Sequence, residues 1–140
     1  TSLWYKVEIQ LEQEQEEKVF GKHLFGKEVN LKRFPFRGSL AMASVSGVEK
    51  SLGSQFFITQ AKYNEQIYSR LKLANAPESI LKAYKEYGGY PSLFLQYTVF
   101  GQVYEGIEVV DKIAAVETNE SNDKPKTDVV IEKIEVKEAE

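Results

Sequence analysis

His23 is the only histidine in this 140-residue chain, and cysteine is absent. Without a thiol there is no disulfide, no thiolate nucleophile and no zinc–thiolate site. A Ser-His-Asp triad would have to run through His23. Its neighbours Lys22 and Leu24 supply no orienting group, so an ordinary imidazole is the better reading. Gly47 and Gly53 are not followed by Gly-Lys-Ser/Thr at the spacing of a phosphate loop. Glu12-Gln13-Glu14-Gln15-Glu16-Glu17 concentrates carboxylates, but neighbours in sequence converge on one ion only where the backbone curls around it, as in a calcium loop. That run reads as a solvated excursion, and Trp4 as a packing residue. No metal and no cofactor is expected.

Bulk properties narrow the classes further. A net charge of −3, a pI near 5.4 and 18 scattered Lys and Arg give no basic stripe for a phosphate backbone, so no nucleic acid is expected. With 42% hydrophobic and 28% charged residues the composition is that of one globular domain. No apolar run approaches the roughly 18–20 residues of a membrane span, and Thr1–Gln10 lacks the character of a signal peptide. The lack of cysteine fits the cytoplasm, slightly ahead of the cell surface, and leaves the compartment open.

The elements that position any site follow from periodicity. Ser2–Ile9 reads as a short aromatic strand. Arg37–Ala43 is a turn entering a small-residue strand, Ser44–Gly53 a polar loop, and Gln55–Thr59 a β-branched and aromatic strand. From Asn64 to about Tyr87 the apolar residues fall at helical spacing, broken around Asn75-Ala76-Pro77. Pro77 suits the start of a second helix over about Glu78–Tyr87, ended by Gly88-Gly89. Tyr97–Val103 is a strand, and Ile107, Val110, Ile113 and Ala114 make one helix face. Thr118–Pro125 is a turn-rich loop, and Asp128–Val136 reads as a final strand with a change of phase. Strands joined by long mixed connections favour an antiparallel barrel or sandwich.

Three pieces stand in order: Arg37-Gly38-Ser39-Leu40-Ala41-Met42-Ala43, Gly53-Ser54-Gln55-Phe56-Phe57-Ile58-Thr59 and Thr98-Val99-Phe100-Gly101-Gln102-Val103. Together they resemble the cyclophilin family of peptidyl-prolyl cis–trans isomerases. Gly106–Ile113 and Asp123-Lys124-Pro125 match as well, and Pro77–Pro91 is similar to a helical insertion in cyclophilins of Gram-positive bacteria. The resemblance runs from about Leu24 to Val136 and leaves Gln10–Lys22 unmatched. It divides the chain into an N-terminal segment, 1–23, and the C-terminal part of a cyclophilin-like domain, 24–140, with a helical insertion at about 64–90.

The resemblance implies a mainly β fold, an antiparallel barrel with capping helices, incomplete in this chain. It implies Xaa-Pro isomerisation, assistance to protein folding, and proline-containing polypeptides as partners. Gln55 and Phe57 take catalytic positions, Phe57 as the aromatic floor of a proline slot and Gln55 as a polar anchor for the substrate backbone. Leu93 and Tyr97 become its walls, and Ala43 and Ser44 a strand edge that pairs with the peptide. Phe56 then takes the core role, whereas alternation alone would give that role to Phe57.

The family's Phe-His-Arg and Phe-Met-x-Gln-Gly-Gly-Asp stretches, which precede the point where Thr1 begins, are absent from the chain. With them goes the Arg expected to face the prolyl nitrogen, which places the activity of the chain alone in question. A truncated chain, a partner segment supplying the first strands, or Ser2–Ile9 in a strand position are the competing explanations. Ser92 stands where cyclosporin-sensitive relatives often carry Trp, so weak binding of that ligand is expected. The alternative functions are a non-catalytic proline-peptide binding module and a structural subunit.

Overall fold

A computed structural model describes residues 25–45, 48 and 50–134. Ser2–Ile9, the acidic run and His23 lie outside them. Among the described residues five strands and three helices follow in order: β1 (Phe25–Gly26), β2 (Ser39–Met42), β3 (Lys50–Leu52), β4 (Phe56–Ile58), α1 (Glu65–Leu73), α2 (Glu78–Tyr87), β5 (Val99–Gln102) and α3 (Ile107–Ala114), with a 3-10 turn at Pro91–Leu93 before β5.

β2 is the hub. It pairs antiparallel with β4 through Leu40↔Ile58, Ala41↔Phe57 and Met42↔Phe56. On its other side it pairs with β5 through Ser39↔Gln102, Leu40↔Gly101 and Ala41↔Val99. Small side chains suit this central position, and Ser39 and Ala41 are almost wholly buried. The register of β5 shifts between Leu40 and Ala41, as at a β-bulge, where one residue is left over and the strand twists harder. β1 and β3 form a separate two-stranded ribbon. Among the described residues the sheet does not close on itself, which agrees with an incomplete barrel.

A polar seam fixes the start of β2. The Thr59 hydroxyl donates to the Phe36 carbonyl at 2.6 Å and accepts from the Ser39 amide at 3.0 Å. Ser39 Oγ donates to Gln102 Oε1 at 3.1 Å, and Gln102 Nε2 donates to the Arg37 carbonyl at 2.9 Å. Arg37 also reaches α3, where its guanidinium meets Asp111 Oδ2 at 2.5 Å. The other Asp111 oxygen is buried with no hydrogen-bond partner among the described residues.

The two helices of the 64–87 segment form as their pattern predicts. Asn64 caps α1, its side chain accepting from the Ile67 amide at 3.1 Å. Pro77 precedes α2, and Gly88 at φ +79° ends it. Tyr84 on α2 is fully buried beneath Tyr63, their rings 5.8 Å apart. Burial pushes its phenol pKa above the ordinary value. At the exit of α2, a side chain on Gly89 (φ +135°) would meet the Pro35 carbonyl at 2.3 Å, so only glycine fits the bridge to Phe36.

Two expectations need correction. Residues 128–134 of the expected last strand carry no strand pairing. Val130 is 72% and Ile134 59% exposed. An alternating apolar segment becomes a strand only when a neighbour takes its backbone hydrogen bonds, and none of the described strands does so. The Ser44–Gly53 loop, conversely, contains β3, too short for any alternation to announce it.

Candidate functional site

β4 places Phe56 and Phe57 on opposite faces, and their surroundings differ. Phe57 is only 9% exposed, and its ring stands 5.2 Å from that of Tyr97 at 88°. Edge-on contact sets the positive rim of one ring against the negative face of the other, an arrangement worth about 0.5–1.5 kcal/mol beyond burial. Phe56 is half-buried, with its ring 6.3 Å from that of Phe100, which is 47% exposed. The assignment of the core role to Phe56 is therefore corrected: Phe57 is the more deeply set of the two. Its face is covered by the chain leading into β5, whereas the Phe56 face meets a bulged strand.

The other expected site residues fall around this corner. Leu93 ends the 3-10 turn, half-buried, and its carbonyl accepts from the amides of Gln96 at 3.0 Å and Tyr97 at 3.3 Å. That doubled turn delivers Tyr97, also half-buried, to the side of Phe57. Gln55 is exposed at the start of β4, and its carbonyl accepts from the Ala43 amide at 2.9 Å. Ala43 thus commits its N–H to the sheet, and of the two edge residues Ser44 is the one beyond this bond. All six residues lie on one connected path, Ser44–Ala43–Gln55–Phe57–Tyr97–Leu93.

The segment before β2 also borders the corner, which sequence alone gave no reason to expect. The Glu28 amide donates to Thr98 Oγ1 at 2.9 Å, Lys27 Nζ lies 6.0 Å from the centre of the Tyr97 ring, and Arg33 Nη1 donates to the Val99 carbonyl at 2.9 Å. These pairs are some 70 positions apart in sequence, so no local pattern could have announced them. No group of three or more His, Cys, Asp or Glu among the described residues is arranged to hold a metal ion.

A sequence profile for cyclophilin-type peptidyl-prolyl cis-trans isomerase/CLD matches residues 6–136. The chain belongs to this family. The match also takes in residues 10–22, which the quoted motifs left unmatched. The domain is 41% identical over 123 residues to a protein of Staphylococcus epidermidis provisionally named a peptidyl-prolyl cis-trans isomerase, covering 87% of this chain and 60% of the relative. A Staphylococcus aureus protein with the same provisional name is 42% identical over the same shares. A Streptococcus pyogenes protein provisionally named a bifunctional phosphatase/peptidyl-prolyl cis-trans isomerase is 40% identical over 120 residues, 84% of this chain and 25% of the relative. This cyclophilin domain thus spans 60% of the length of the staphylococcal proteins it matches.

Proposed function

We propose that this cyclophilin domain accelerates cis–trans rotation of Xaa-Pro bonds in polypeptides, with the proline ring held against the Phe57–Tyr97 corner. The perpendicular contact of those two rings carries the reading, because it makes an apolar angle beside an exposed polar side chain, Gln55.

The reaction asks little covalent chemistry of a protein. Rotation about a peptide bond faces a barrier of about 18–20 kcal/mol. For Xaa-Pro the end states differ by only about 0.5–1 kcal/mol, so the task is to lower a barrier between near-equal states. An amide turned out of plane loses the charge separation of its resonance form. A dry apolar corner therefore disfavours the planar amide more than the twisted one. Phe57 and Tyr97 supply the dry surface, and Leu93 backs the turn that holds Tyr97. Gln55 and the main chain of Ser44 hold the substrate backbone on either side while the bond turns.

A donor to the prolyl nitrogen would lower the barrier further. Arg37 is committed to Asp111 and to the Gln60 carbonyl, and Arg33 gives one of its donors, Nη1, to the Val99 carbonyl. Loss of one aimed donor commonly costs two to three decades in rate, about 2.7–4 kcal/mol. We read residues 64–90 as an insertion that leaves the slot intact.

Exchange spectroscopy by NMR on an Ala-Pro peptide tests the proposal directly. Catalytic amounts of the chain should raise the cis–trans exchange rate, and Phe57→Leu should abolish the increase while the fold persists. Binding without any gain in exchange would reduce the domain to a proline-peptide binding module. Absence of both would leave a structural subunit.

A further inference from the structure

We propose that Lys27 and Arg33 form a cationic rim on the Tyr97 side of the slot, selecting Xaa-Pro segments with an acidic side chain next to the proline. This deepens the isomerase reading above and rests on it for where the proline sits. Three consecutive residues entering β5 are each held by the segment before β2. Lys27 Nζ lies 6.0 Å from the centre of the Tyr97 ring, the Glu28 amide bonds Thr98 Oγ1 at 2.9 Å, and Arg33 Nη1 bonds the Val99 carbonyl at 2.9 Å. The Glu28 bond anchors the backbone next to Lys27, which keeps the root of the lysine side chain beside the ring. Arg33 is aimed by a turn at Asn30, whose carbonyl accepts from the Arg33 amide at 3.1 Å and whose side chain accepts from the Lys32 amide at 2.8 Å.

The charge of this stretch runs against that of the whole chain. Lys27–Arg33 holds three cations, Lys27, Lys32 and Arg33, against the single carboxylate of Glu28, while the chain as a whole is at −3. No carboxylate among the described residues forms an ion pair with Lys27 or Arg33, in contrast to Arg37, Lys62 and Lys126, which each meet one. Both cations thus keep N–H donors for an incoming anion. With a proline ring against Tyr97, the next residue begins about 3.8 Å along the chain, close enough for a Glu side chain to reach the Lys27 ammonium. A neutral residue gains nothing there, and a Lys meets like charge. The preference belongs to rim electrostatics, which screen with salt over about 10 Å at 0.1 M.

The test uses peptides with Glu, Ala or Lys placed before or after one proline. Exchange rate and binding are read on the same samples, by exchange spectroscopy and by chemical-shift titration. Glu peptides should outperform Ala peptides, and Ala peptides Lys peptides. Each step should be about twofold to fivefold at low salt, the range of exposed ion pairs, and should shrink towards unity in 0.5 M salt. The double substitution Lys27→Ala and Arg33→Ala should flatten the series. Lys27→Glu should reverse it, which a general loss of folding cannot do. Equal exchange enhancement across all three peptides overturns the rim and leaves the isomerase reading standing. Tighter binding of the Glu peptide with no exchange gain supports the rim and sinks the isomerase reading. A wild-type preference that survives the double substitution overturns the assignment to these two residues.

Discussion

Phe56 and Phe57 are adjacent, identical in type and part of the same strand, yet they serve opposite sides of the sheet on different terms. Phe57 stands perpendicular to Tyr97 and is nearly covered; Phe56 meets Phe100 and stays half-buried. What separates them is the neighbour each face receives from the chain around β5. The Phe57 side is finished by a tight turn that carries Leu93 and Tyr97, whereas the other side receives the half-exposed Phe100 of β5. A residue's role here is set by what the chain around β5 brings to its face, and not by its own chemistry.

Substitutions can break that contrast. Phe57→Ala should have the largest effect, removing about 3–5 kcal/mol of stability as for other buried aromatics and eliminating peptide exchange. Phe56→Ala should cost about 1–3 kcal/mol, since less of its surface leaves water. Denaturant unfolding of both variants ranks them, and equal losses would erase the difference between the two faces. Arg37→Ala comes next, destabilising by about 1–3 kcal/mol because Asp111 loses its charged partner while one oxygen is already unpaired. That loss should appear in the unfolding midpoint, with peptide exchange at low temperature little altered. Tyr97→Ala should weaken peptide binding about threefold to tenfold, from the apolar surface the proline then no longer covers, while Tyr97→Phe should retain most of it.

The smallest effect should lie at Tyr63, just ahead of α1. The Tyr63 hydroxyl donates to Glu65, and this bond, more than any other influence, raises its pKa from 10.0 to about 12. A group whose pKa is raised on folding stabilises fully below its unfolded value and loses that contribution as pH climbs through the folded one. The contribution of Tyr63 should therefore persist to pH 10 and fade towards pH 12. Ultraviolet titration of phenolate absorbance, compared with Tyr63→Phe, checks it; a Tyr63 midpoint at 10 would remove the Glu65 bond from the account.

The sequence was most legible where signals are local. Helical spacing around Ile67, Leu71, Leu81 and Tyr84, with Pro77 and Gly88 as punctuation, located α1 and α2 closely. The motif around Gln55 and Phe57 located β4, and the run from Thr98 to Val103 located β5. What escaped notice depends on distant pairing. The β1–β3 ribbon is only two or three residues wide, and residues 128–134 have a strand pattern without a strand to join. The depth of Phe57 relative to Phe56 also rests on the contact with Tyr97, forty positions away, which no local window of sequence contains. Likewise, Lys27 and Arg33 acquired meaning only once folding laid them along Tyr97–Val99.

The junction at Gly88 has a consequence for how such a domain can change. A Cβ there would sit 2.5 Å from the backbone of Lys62 and Tyr63, and its carbonyl accepts from the Arg37 amide at 3.2 Å. The chain therefore leaves for the helical hairpin and returns from it at a single knot tied to the mouth of β2. Whatever hangs from that knot can lengthen, shrink or be exchanged for a foreign module while the strands beneath keep their spacing, which makes it a natural grafting point.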